Sequence, residues 1–194
     1  MEHMEGLSVV DCTHCPALVD SRQQIVNGTG PADADLLFVG EAPGANEDDQ
    51  GEPFVGRSGA VLDDALRDFG LARADVRITN CVRCRPPENR DPSQEELSNC
   101  RGYLEAEIDQ IDPEVVVTLG KVPSEHLLER SVGVTNEAGS LVEHELGGES
   151  RTVLICVHPA ATLYDRSQEE TFEETIRKAA ELAGDGGQSK LGEF

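Results

Sequence analysis

The sequence predicts an α/β protein, a three-layer α/β/α sandwich around a central four-stranded parallel sheet. Three observations carry this. Four short runs rich in β-branched residues stand out, at Leu36–Val39, Ile78–Val82, Val115–Leu119 and Val153–Val157. Segments with helical spacing of apolar residues separate them. Alternation of this kind places the strands parallel and covers both faces of the sheet with helices.

The helices follow from the same spacing. Val61, Leu62, Ala65, Leu66 and Phe69 recur at helical intervals after the first strand. Between the second and third strands, Ser93 and Glu96 form a capping box. Leu97, Cys100, Leu104, Ile108 and Ile111 then share one stripe. A short helix around Val122–Glu129 follows the third strand. After the fourth, Ser167 and Glu170 suggest a cap for a helix that turns Phe172, Ile176, Ala179 and Ala180 inward and ends near Gly184. The stretch 130–150 is less regular, and Leu141–Leu146 has the pattern of an extra antiparallel strand. Residues 1–184 read as one domain and 185–194 as a flexible tail.

Composition narrows the function classes. The 194 residues suit one domain. Leu, Ile, Val and Phe together exceed the ~20% below which a highly charged chain stays disordered. No apolar run reaches the roughly 18 residues of a membrane span, and Met1–Leu7 lacks the basic and apolar parts of a signal peptide. A cytoplasmic location is expected. Sixteen basic residues against 38 acidic ones give a net charge of −22. We read this acidity as adaptation to high salt, a halophilic character, because strong salt screens the self-repulsion of a compact acidic chain. The charge by itself argues against nucleic-acid binding, but that argument weakens where salt already suppresses counterion release.

Open parallel sheets bind ligands beyond the carboxyl ends of their strands. Gly40-Glu41-Ala42-Pro43-Gly44 follows the first strand and opens a long polar loop to Gly59. The second strand contains Asn80 and leads into Arg83, Cys84, Arg85 and Arg90. The third ends at Gly120-Lys121 and the fourth at His158-Pro159. These edges are expected to converge on one pocket. Six cysteines need an account that is not a disulfide framework, since a cytosolic chain keeps thiols reduced. Cys12-x-x-Cys15 has metal-ligand spacing. Its partners are either Cys81 with Cys84, or Cys84 with Cys100. The second set is preferred, because Cys81 lies in a strand next to Asn80 and faces away from it into helix packing. Cys156 reads as a small core hydrophobe. Four thiolates suit zinc or an iron–sulfur cluster, and spacing does not choose between them.

Three motifs then occur in order: Gly40–Gly44 with Glu47 and Gly51-Glu-Pro-Phe-Val-Gly56; Ile78–Val82 running into Cys84-Arg-Pro-Pro-Glu-Asn-Arg90; and His158-Pro-Ala-Ala161. With the four cysteines, they resemble the family 4 uracil-DNA glycosylases over nearly the whole chain. The resemblance implies a [4Fe-4S] cluster on Cys12, Cys15, Cys84 and Cys100, with the N-terminus as a cluster-binding segment. It implies a monofunctional hydrolase that flips uracil out of DNA, cuts its N-glycosidic bond and leaves an abasic site for base excision repair. Uracil-containing DNA is the expected partner. A monomer is expected, with no membrane and with a replication clamp as candidate protein partner.

The resemblance also assigns roles. Phe54 stacks on the flipped base. The Asn80 amide accepts from uracil N3–H and donates to O4, a pattern cytosine inverts. His158 and the backbone N–H groups of Gly40, Glu41 and Ala42 face O2, where charge develops in the leaving group. Glu47 supplies a wall against the thymine methyl. Ala42 stands where family 1 enzymes carry a water-positioning aspartate, which leaves Glu41 to orient water or stabilise a cationic sugar. Leu163 is a candidate to fill the space of the flipped base. Arg77, Arg83, Arg85 and Arg90, helped by Arg57 and Arg101, form the expected phosphate-binding patch. The alternatives are a glycosylase for another deaminated base and a non-catalytic iron–sulfur module that binds damaged DNA. A zinc deaminase is excluded because no Pro precedes either CxxC. A P-loop is excluded because the Gly40–Gly59 loop lacks its Lys-Ser/Thr ending and is acidic.

Overall fold

A computed structural model describes residues 3–189. A small hairpin opens the chain, β1 (Met4–Glu5) against β2 (Ser8–Val9), followed by α1 (Pro16–Ser21). The main unit then runs through β3 (Leu36–Gly40), α2 (Ala45–Gln50), α3 (Arg57–Asp68), β4 (Arg77–Asn80), α4 (Gln94–Ile111), β5 (Val115–Leu119), α5 (Lys121–Leu128), α6 (Val134–Glu137), β6 (Leu141–Leu146), β7 (Glu149–Cys156), α7 (Pro159–Thr162) and α8 (Ser167–Ser189).

The expected four-stranded parallel sheet is corrected: the sheet has five strands in the order β4-β3-β5-β7-β6, and it is mixed. β4, β3, β5 and β7 pair in parallel, while β6 pairs antiparallel with β7. The reason is local. Gly147 and Gly148 both take positive φ, 65° and 91°, so the chain reverses in a tight hairpin and lays β6 on an open edge. Alternate exposure along β6 fits an edge strand with one solvated face.

Side chains alternate strictly between two apolar clusters. Leu37, Val39, Val116, Val153 and Ile155 pack against Leu97, Leu104, Ile108 and Leu127 of α4 and α5. Leu36, Phe38, Ile78, Val117, Leu154 and Cys156 pack against Leu62, Leu66, Phe172 and Ile176 of α3 and α8. Helices therefore cover both faces, and the functional loops are left at the strand ends.

The capping box of α4 is present, with Ser93 Oγ accepting from Glu96 N. At α8 the capping oxygen comes from a different residue: Asp165 accepts from Ser167 N at 2.9 Å, and Ser167 already opens the helix. That helix continues past Gly184 to Ser189. The rest of the expected tail, 190–194, lies outside the described residues. Among the described residues, no helix is long and apolar enough to cross a membrane.

Candidate active site

The carboxyl ends of β3, β4 and β7 meet at a cavity of about 190 Å³, lined by Glu41, Ala42, Gly44, Glu47, Phe54, Ser58, Asn80 and His158. That volume lies below the ~300 Å³ at which ordinary small-molecule pockets begin, so it suits a single small ring. A larger cavity of about 620 Å³ between α4 and α5 contains none of the expected base-binding residues and, of the expected phosphate contacts, only Arg101.

The local geometry follows from the glycines and one carboxylate. Gly40 is paired with Asn80 in the sheet. A Cβ on Gly40 would lie 2.4 Å from Asn80 Oδ1 and 2.5 Å from the Phe54 ring, so the strand must present bare backbone there. Glu47 folds back over its own loop. Its carboxylate accepts from the backbone N–H of Gly44 at 3.1 Å and from Val55 and Gly56 at 3.2 Å each. It thus clamps both ends of the loop that carries Phe54 and still lines the cavity. Phe54 adopts φ of 55°, unusual for a bulky residue. Arg73 holds that turn through the carbonyls of Pro53 and Phe54. Gly59 is required beneath it, since a Cβ there would overlap the Phe54 carbonyl.

His158 caps α7 with its own ring: Nδ1 accepts from Ala160 N at 3.0 Å. With Nδ1 accepting, the proton of the neutral ring resides on Nε2. Burial pushes the His158 pKa down to about 4, so the ring is neutral at ordinary pH. Its centroid lies 5.9 Å from that of Phe54, the rings tilted by 31°. Gly120, with φ of 105°, admits the ring, its own Cβ position being 3.2 Å from His158 Cβ. Asn80 is 3% exposed, and its side-chain amide has no protein hydrogen bond among the described residues. Burial, reinforced by the neighbouring Asp91 carboxyl, lifts Glu41 to about 7.

Residues 27–180 match the Uracil DNA glycosylase superfamily. The chain belongs to that superfamily. It is 37% identical over 190 residues to the type-4 uracil-DNA glycosylase of Archaeoglobus fulgidus, covering 95% of both chains. It is 42% identical over 171 residues to that of Thermotoga maritima, covering 87% of both. A type-5 uracil-DNA glycosylase of Thermus thermophilus is 32% identical over 209 residues, covering 89% of this chain and 94% of that one. Within the superfamily the chain falls in the type-4 branch.

Two expectations need correction in this superfamily member. The first is the [4Fe-4S] cluster, and with it the expected metal-binding role of Cys12, Cys15, Cys84 and Cys100. Among the described residues, no group of three or more His, Cys, Asp and Glu side chains is placed to hold a metal ion. The thiols have other partners. Cys84 Sγ accepts from Arg22 at 2.9 Å and Cys15 Sγ from Asn99 at 3.4 Å. Cys100 is buried in the apolar cluster beneath α4, and that burial pushes its thiol up to about 12.

The second is the arginine patch. Arg77 and Arg83 are buried on Glu107, Arg90 is held on Glu96 at 2.7 Å, and Arg101 bonds Glu105 at 2.7 Å. Helix α4 places these acids opposite the arginines, so the local surplus seen in the sequence is largely neutralised. Among the described residues, Arg85, bonded to Asn89 Oδ1, and exposed Arg57 form no ion pair.

Six of the expected positions line the cavity: Glu41, Ala42, Glu47, Phe54, Asn80 and His158. Gly40 lies directly beneath Asn80 and Phe54. Cys12, Cys15, Cys84 and Cys100 do not line it. Sequence reasoning missed Ser58, the second residue of α3, for which the Gly56-x-x-Gly59 frame is a signal. It also missed Asp91 beside Glu41, which no local pattern marks. Leu163 and Tyr164 follow α7, 37% and 83% exposed.

Proposed function

We propose that this chain is a uracil-DNA glycosylase of the type-4 kind, a hydrolase that removes uracil from DNA and leaves an abasic site. One observation carries the reading. A neutral imidazole with its proton on Nε2, a buried amide without a protein partner and an aromatic face line one cavity sized for a single ring.

The residues divide the work as follows. A base within a duplex is inaccessible and must be extruded. Phe54 offers the flipped pyrimidine a face. Asn80 reads N3–H and O4, and cytosine would leave both of its amide groups unpaired. As the glycosidic bond breaks, negative charge collects at O2. A neutral His158 donating from Nε2 stabilises it without first giving up a proton. Glu47, already fixed by three backbone N–H groups, presents a rigid wall toward the C5 position, where thymine carries its methyl. Ala42 offers no carboxylate, so Glu41 is the group left to orient water or balance cationic sugar. Leu163, on the exposed segment after α7, takes the space of the extruded base. Six free cysteines fit a reducing, cytoplasmic compartment.

The test is an oligonucleotide with a single uracil, treated with the protein and then with alkali to break any abasic site. Cleavage at uracil, with matched cytosine and thymine strands intact, is the expected result. Intact uracil strands would overturn the reading.

A further inference from the structure

Glu107, in the C-terminal half of α4, is fully buried. A buried carboxylate is tolerated only when paired and hydrogen-bonded. Its partners all come from one short stretch. Arg77 Nε donates to Oε1 at 2.9 Å, the Thr79 hydroxyl donates to Oε2 at 2.9 Å, and Arg83 Nη2 also donates to Oε2. Arg77 and Thr79 alternate with Ile78 and Asn80 along β4, so the side chains that reach back to α4 leave Asn80 on the opposite face.

The ladder to β3 holds this strand on its inner side only. β4 is four residues long and lies at the edge of the sheet. On its outer side one bridge, Thr29 with Ile78, holds it at 2.9 Å in each direction. The Glu107 network reinforces both sides of Asn80 in sequence. Arg77 also donates to Gly30 O at 2.8 Å, and Arg83 to Asn27 Oδ1 at 3.0 Å. Gly28 keeps the space open, since a Cβ there would lie 2.3 Å from Glu107 Oε1. An apolar core would pack α4 against β4 as well as this network does, and buried ion pairs are poor stabilisers compared with such packing. Charged hydrogen bonds add direction and register.

We propose that Glu107 is a positioning residue for base recognition: by holding Arg77, Thr79 and Arg83 against α4, it fixes the edge strand so that the Asn80 amide meets the flipped base. This rests on the glycosylase reading above. The direct variant, Glu107→Gln, strips the counter-charge from two buried guanidiniums and threatens folding, so Thr79→Val is the decisive one. It removes one bond of the network and leaves every charge paired.

The expected result for Thr79→Val is a fall of about tenfold in kcat for uracil excision, with KM for the DNA within about twofold, the mark of lost positioning. Thr79→Ser restores the hydroxyl and the rate. Thr175→Val removes a similarly buried hydroxyl from α8 and keeps kcat within about twofold of the parent. Unchanged kcat in Thr79→Val, a loss that serine fails to restore, or an equal loss in Thr175→Val would overturn the proposal. A parent protein that leaves uracil strands intact removes the functional reading and this inference with it. An active parent with an indifferent Thr79→Val removes this inference alone.

Discussion

At the scale of single residues, the site depends on protonation states and on one amide. Asn80 lines the cavity, and under the proposed reading its replacement removes both hydrogen bonds to the base. Asn80→Ala is expected to lower kcat/KM about a hundredfold to a thousandfold, ~3–4 kcal/mol of transition-state stabilisation, in single-turnover cleavage. Glu41 gives a pH signature. Its pKa of about 7 means that the ionised form, which would orient water or balance a cation, is lost as pH falls through 7. The excision rate should therefore rise with pH through that value. Glu41→Gln should abolish this limb, and a parent profile flat across neutrality would exclude Glu41 from the rate. His158 acts in the other direction. Its folded pKa of about 4 lies below the ordinary 6.5, so the unfolded chain takes up a proton first. Its contribution to stability is complete above 6.5 and is lost as pH falls toward 4.

At the scale of elements, glycines decide what the loops can do, for two different reasons. Gly40 lies under the functional side chains, whereas Gly59 lies under a backbone carbonyl. Gly40→Ala should depress excision more than stability, because the side-chain amide and ring can shift away from the new methyl. Gly59→Ala must move the turn itself, a cost of ~1–3 kcal/mol, which for a chain of this size lowers the melting temperature by roughly 2–12 °C. Thermal melts of the two variants, set beside their rates, check this contrast. Apolar spacing correctly marked the faces of α3, α4 and α8, since burial has the helix period. It could not show that Asp165, two residues before Ser167, supplies the oxygen at the start of α8. Serine and aspartate serve that role about equally well, and the loop geometry chose between them.

At the scale of the whole molecule, charge dominates. The protein carries −22, and most arginines near the site are neutralised by α4. DNA binding should therefore depend on few unopposed cations, and excision should survive salt well. Raising the salt from about 0.1 M to above 1 M shortens the screening length from about 10 Å to about 3 Å. The expectation is that single-turnover excision changes by less than about tenfold over that range. A collapse of several orders of magnitude would show that many phosphate contacts carry the affinity.

The sequence by itself determined the alternation of strands and helices, the covered faces and most of the residues that line the pocket, Ser58 excepted. Those features are written in local periodicity and in motifs whose chemistry is specific. Phe54, Asn80 and His158 are separated by many residues, yet each sits at a strand end or in the adjoining loop, and parallel strands bring such ends together. Pairing across distance was decided only by the tertiary structure. The pattern of Leu141–Leu146 marked a strand antiparallel to its neighbour, but its place on the open edge beside β7, within one mixed sheet, was not in the sequence. The arginines that looked like a phosphate-binding patch were claimed by Glu96 and Glu107, and the thiols by burial, Arg22 and Asn99. Spacing along a chain records which groups are available, but the partner each group takes is fixed by packing, because a buried charge or thiol bonds to whatever the opposing element presents.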